Sequence, residues 1–220
     1  MKTKLKTIIL ALLAAFAALP VNAQQDQGDK RTKIIFAFPE FREAKVIQPF
    51  GRYTTAKVNI LLKNSTLCFV DGENIKEAYV QNVLGVTIDS LQYVKINDRQ
   101  MARVVAQKGY NQLLCLTTID EKKLTAETFG GDNLPYLEIP DTGFFYEVDG
   151  QRYSFDLGYP LKDQYFFSIK GQIVPANESK FKAYVRPDMK QAFKHLMADK
   201  WWSWKDPASL AQLFTYIKEP

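Results

Sequence analysis

Residues 66–78 read TLCFVDGENIKEA, two extended runs that meet at Asp71-Gly72. An Asp-Gly pair between strand-type residues is the strongest short hairpin signal, because a tight turn needs positive φ and glycine adopts it without a Cβ clash. The device recurs in FFYEVDGQRYSFDL, residues 144–157. There Tyr146 and Val148 precede Asp149-Gly150, and Tyr153 and Phe155 follow it. The flanks of the two hairpins do not align, so they are one turn chemistry used twice rather than an internal repeat.

Outward from these hairpins the strand pattern continues. KIIFAF (33–38) is rich in β-branched and aromatic residues, and AKVNILLKN (56–64) alternates through Val58, Ile60 and Leu62. Asp89-Ser90, Asn97-Asp98 and Lys108-Gly109 punctuate the run from 85 to 119, and YFFSIKGQIV (165–174) reads as a hairpin about Lys170-Gly171. Short strands roughly 8–12 residues apart predict a mainly-β fold, an antiparallel meander, sandwich or partly closed barrel. The expected organisation is a β-rich unit over 34–128, a loop or boundary over 129–143, and hairpins over 144–185 that continue the sheet or form a second unit. The whole of 121–143, with Gly130-Gly131, Pro135 and Pro140, reads as a long loop.

The period changes from 2 to 3.6 near Arg186, and residues 186–220 are expected to form a helical cap. Pro187 suits a first helical position, and Met189, Phe193, Leu196 and Met197 then form one apolar face. Asp206 as N-cap and Pro207 at the next position begin a second helix, whose face is Leu210, Leu213, Phe214 and Ile217. All three tryptophans, Trp201, Trp202 and Trp204, occupy the corner between the helices. They are expected mainly to fasten the helices to the sheet, with Trp201 on the Met197 side and in the core. Trp202 and Trp204 are the candidate ligand-binding residues, since flat indoles suit sugar rings.

The N-terminus carries Lys2, Lys4 and Lys6, an apolar run to Leu19, Pro20 and then Val21-Asn22-Ala23. This is the pattern of a signal peptide cleaved after residue 23, followed by a polar leader over 24–33. The apolar run falls short of the roughly 20 residues that span a bilayer. A periplasmic or extracellular location and a mature chain with no transmembrane segment are therefore expected. The chain's formal net charge is +5, and the three lysines of residues 1–23 account for most of it, leaving +2. That mild balance has no basic stripe or arm, so nucleic acid is not an expected partner.

Little chemistry is announced. His195 is the only histidine and points away from the apolar face of its helix, so no catalytic residue is assigned to it. Cys68 and Cys115 lack zinc spacing and form no C-x-x-C pair, so no metal site, redox motif or cofactor is expected. Both sit in apolar runs and are expected to be shielded, either as buried thiols or joined in a disulfide. Glu138, Asp141, Glu147, Asp149, Asp156 and Asp163 crowd one third of the chain, yet no spacing singles out a hydrolytic pair. The reading is an exported, non-catalytic β-rich binding or structural protein with a protein or glycan partner. A glycan-binding module and a carboxylate hydrolase are the alternatives.

Overall fold

The computed structural model describes residues 30–129 and 158–217. The expected signal peptide over residues 1–23, the expected hairpin about Asp149-Gly150 and the segment from Gly130 to Gly143 lie outside the described residues. The strands are β1 (Arg31–Thr32), β2 (Arg42–Ile47), β3 (Tyr53–Leu61), β4 (Thr66–Asp71), β5 (Asn74–Glu77), β6 (Gly85–Ile88), β7 (Leu91–Lys95), β8 (Met101–Lys108), β9 (Asn111–Ile119), β10 (Tyr159–Ile169) and β11 (Gln172–Pro175). The α-helices are α1 (Glu121–Phe129), α2 (Glu178–Phe181), α3 (Lys190–Met197) and α4 (Pro207–Gln212).

All strand pairings are antiparallel, in the order β1-β10-β9-β8-β7-β6-β2-β3-β4-β5, with β11 also on β10. The sheet curls into a half-barrel, the partly closed form among the expected all-β architectures. The curl brings the β3–β4 turn back to β8 and β9. Met101 N donates to Ser65 O at 2.9 Å and Ile119 N to Leu62 O at 2.8 Å.

Turn chemistry sets the registers, with small offsets from the sequence expectation. In the 66–78 hairpin Asp71 pairs with Asn74, so the two turn residues are Gly72 and Glu73. Gly72 takes the first turn position at φ 63°, where a Gly-X turn wants its glycine. Lys170-Gly171 sits between paired Ile169 and Gln172 as expected, both turn residues at positive φ.

Alternation buries one face of β2, β3, β6 and β7 inside the curl: Ala44, Val46, Val58, Ile60, Val86, Ile88 and Tyr93 form one cluster with Met101 and Phe38. Asn59 points the other way and is 1% exposed. Its side chain accepts from Phe38 N at 3.1 Å and donates to Phe38 O at 2.8 Å and Glu40 O at 3.2 Å. One amide thereby ties the irregular segment before β2 to the middle of β3.

The second cluster joins sheet and cap. Leu113, Phe167, Ile169 and Val174 meet Phe181, Val185, Phe193, Leu210, Leu213, Phe214 and Ile217. Asp206 caps α4 as expected, accepting from Ala208 N at 3.2 Å and Ser209 N at 2.7 Å. Burial pushes the Asp206 carboxyl up, and the Ser209 hydroxyl with these two amides outweighs it, holding the group below its ordinary value.

Four segments differ from the sequence expectation, and the first is KIIFAF (33–38), which is irregular apart from one bridge between Phe36 and Leu61 rather than a strand. Residues 121–129 are helix rather than loop or strand: Asp120 Oδ1 accepts from Lys123 N at 3.3 Å, and Leu124 is buried beneath the first turns. Residues 178–181, placed among hairpins, form α2 because Asn177 Oδ1 caps Lys180 N at 3.0 Å. Arg31 and Thr32, assigned to the leader, pair with β10. Arg31 Nη1 donates to Gly158 O at 3.0 Å, and its Nη2 meets Glu127 Oε1 at 2.5 Å. In residues 121–129, 178–181 and 31–32 side-chain caps, burial or long-range pairing override a weak local preference.

Candidate functional site

The β10–β11 turn and the cap enclose a cleft of about 990 Å3. Its floor is apolar, from Ile169, Val185, Phe193 and Ile217, all members of the cap cluster. Its walls carry five cationic residues, Lys170, Lys182, Arg186, Lys190 and Lys194, against one carboxylate, Glu178. Arg186 Nη2 reaches Asp188 at 3.4 Å, while its Nε is buried with no hydrogen-bond partner among the described residues. The four lysines form no ion pair among the described residues.

The local cost of this arrangement is visible in α3. Lys190 and Lys194 are i,i+4 neighbours of like charge, an arrangement that weakens a helix by about 0.2–0.5 kcal/mol. Lys190 also begins the helix, where the macrodipole disfavours a cation. Lys194 lies in the last turn, where the macrodipole favours a cation, so the unfavourable elements are the position of Lys190 and the like-charge pairing. His195 is exposed on the same helix, and its Nε2 lies 3.1 Å from Gln191 Nε2.

The tryptophans stand behind the cleft. Trp202 and Trp204 are half-buried against the cap cluster and meet edge to face, 4.7 Å between centroids. Trp204 also contacts Phe181 at 6.3 Å, and Phe181 stacks with the floor residue Phe193 at 6.0 Å. Trp201, expected in the core, is instead 79% exposed. The reason is that α3 ends at Met197, and Asp199 Oδ1 then accepts from Trp201 N at 2.9 Å, turning the chain before a further helical turn forms. The plug is made by Trp202 and Trp204. Trp204→Ala should cost about 2 kcal/mol, less than a fully buried indole, and Trp201→Ala no more than about 0.5 kcal/mol. Urea midpoints at constant slope measure both; equal losses would contradict this division of labour.

Cys68 and Cys115 are buried and free, as thiols rather than a disulfide. Cys68 packs with Leu61, Leu62, Ile119 and Leu124, on the side of β4 opposite Leu67. Burial, with the Glu77 charge adding to it, pushes its thiol up to about 12. Cys115 Sγ lies 3.6 Å from Thr117 Oγ1, which donates to Asp163 Oδ1 at 2.5 Å. Burial and then the Asp163 charge raise the Cys115 thiol as well, so neither cysteine is an activated nucleophile. Of the six acids considered for a hydrolytic pair, Asp163 alone lies among the described residues. Among those residues no group of three or more His, Cys, Asp and Glu side chains could hold a metal, and no helix is long and apolar enough to cross a membrane.

The class defined by these features is a curled antiparallel half-barrel closed by a helical cap, with a basic cleft at their junction. No protein-family model matches the chain, and no curated protein and no solved structure matches it either.

Sequence reasoning missed the cleft because its walls come from 169–172, 178–187, 190–194 and 217, segments that meet only in the fold. The one local signal was the like-charged pair Lys190 and Lys194 beside Phe193.

Proposed function

We propose that this chain is an exported, non-catalytic binding protein whose cleft takes an amphipathic anion, a ligand with an apolar body and an acidic head. The observation that carries the reading is five cations against one carboxylate around an apolar floor. Such a cleft buries the ligand's hydrocarbon on Ile169, Val185, Phe193 and Ile217 while the rim neutralises its charge.

Titration of the protein with laurate below its micellar concentration, followed by calorimetry, tests the reading. Saturable binding is expected, with about tenfold weaker affinity in Lys190→Glu/Lys194→Glu, since the variant places like charge at the head-group site. The cationic analogue dodecyltrimethylammonium should not saturate. Equal laurate affinity in parent and variant rejects the cleft as the site. Export rests on the N-terminal sequence, and an intact mass of the native protein beginning at Gln24 is expected. A mass that retains residues 1–23 rejects it.

A further inference from the structure

Inside the half-barrel lies a second cavity, of about 170 Å3, which shares no lining residue with the cleft. At roughly 30 Å3 per water molecule it has room for about five waters or one short organic molecule. One wall is hydrocarbon, from Ile60, Leu62 and Leu161. The other is polar and comes from adjacent strands. Tyr93 on β7 is the register partner of Arg103 on β8, and Arg103 is the partner of Cys115 on β9. Register partners project to the same face, so the phenol, the guanidinium and the thiol stand in a row along one wall.

Arg103 is out of place for the fold alone. It occupies an inward position on β8 two residues after Met101, which is fully buried in the barrel core. An apolar side chain there would satisfy the same packing. Arg103 is half-buried, so its guanidinium lines the cavity while keeping access to water, and it is free to meet an anion that enters. Arg103 has no hydrogen-bond or ion-pair partner among the described residues, and neither has the Tyr93 hydroxyl. The nearby carboxylate of Asp163 accepts instead from Thr117, on the β9–β10 side. The unpartnered donors are on the β7–β8 side.

We infer that this cavity binds a small monocarboxylate: Arg103 and the Tyr93 hydroxyl take the carboxylate, and the short alkyl chain lies against Ile60, Leu62 and Leu161. The fork of a guanidinium matches the two carboxylate oxygens, and the protonated phenol adds a third donor. A phenol is protonated at neutral pH, and burial raises the Tyr93 hydroxyl further, against the lowering effect of the Arg103 charge.

The test is a titration of the full chain with sodium butyrate, read by calorimetry and by backbone amide shifts. Saturable binding with shifts concentrated in β7, β8 and β9 is expected. Arg103→Met should weaken it at least tenfold, and Tyr93→Phe several-fold. Arg103→Lys, which keeps the charge and loses the fork, should also weaken it and serves if the methionine variant fails to fold. Lys190→Glu/Lys194→Glu should bind butyrate like the parent, which separates this site from the cleft. No saturation, parental affinity in the Arg103 variants, or equal binding of 1-butanol overturns the inference.

Discussion

Replacing Phe181 by alanine is expected to cost about 3–5 kcal/mol, the largest loss for any single side chain of the cap. Phe181 is fully buried, and three aromatic rings meet it: Phe167 at 4.8 Å, Phe193 at 6.0 Å and Trp204 at 6.3 Å. Aromatic pairs of this geometry add about 0.5–1.5 kcal/mol beyond the area they bury. Its helix, α2, has only four residues, too few to be stable alone, so the burial of Phe181 acts with the Asn177 cap to hold the helix in place. The loss should extend to ligand affinity, because Phe193 would lose the ring that supports it from behind. Urea unfolding against the exposed neighbour Lys180→Ala, which should change stability by no more than about 0.5 kcal/mol, measures the effect. Similar midpoints for the two variants would show that the cap does not depend on this aromatic cluster.

Asn59→Ala is expected to cost about 3 kcal/mol by a different route. The substitution removes little volume, but it leaves Phe38 N–H, Phe38 C=O and Glu40 C=O without their buried partner, and each such orphan costs about 1–3 kcal/mol. Phe38 belongs to the barrel core, where its ring meets Tyr93 at 6.5 Å, so the segment would pull a core residue with it. Asn59→Asp keeps an acceptor for Phe38 N–H and loses both donated bonds. Hydrogen exchange at the Phe38 amide reads the difference locally. It should accelerate strongly in the alanine variant and less in the aspartate variant. Exchange at parental rates in both would mean that the segment is held by packing alone.

The gap between sequence and structure follows the range of the interactions. Asp206 could be assigned as a cap from residues 206–209 because its partners, Ala208 and Ser209, are within three positions. The Lys170-Gly171 turn was legible for the same reason. The 66–78 hairpin was legible as a hairpin, but its turn moved by one residue, from Asp71-Gly72 to Gly72-Glu73, since both pairs place a glycine in the turn. Arg31 could not be placed from its neighbours, because its partners Glu127 and Gly158 are 96 and 127 positions away. Trp201 was misplaced because a helical phase was extended past the residue where Asp199 ends it.

The sequence by itself determined the mainly-β class, the two C-terminal helices with their apolar faces, the Asp206 cap of the second, and the shielding of both cysteines. Each depends on alternation, helical period or turn residues, which act over a few positions. Tertiary structure alone decided how far the sheet curls, which indoles are covered, and where charge gathers. Five cations spread between Lys170 and Lys194 look interspersed along the chain. They become one rim only when the β10–β11 turn is packed against α3, because that packing is driven by Ile169, Phe193 and Ile217 beneath them and not by the charges themselves.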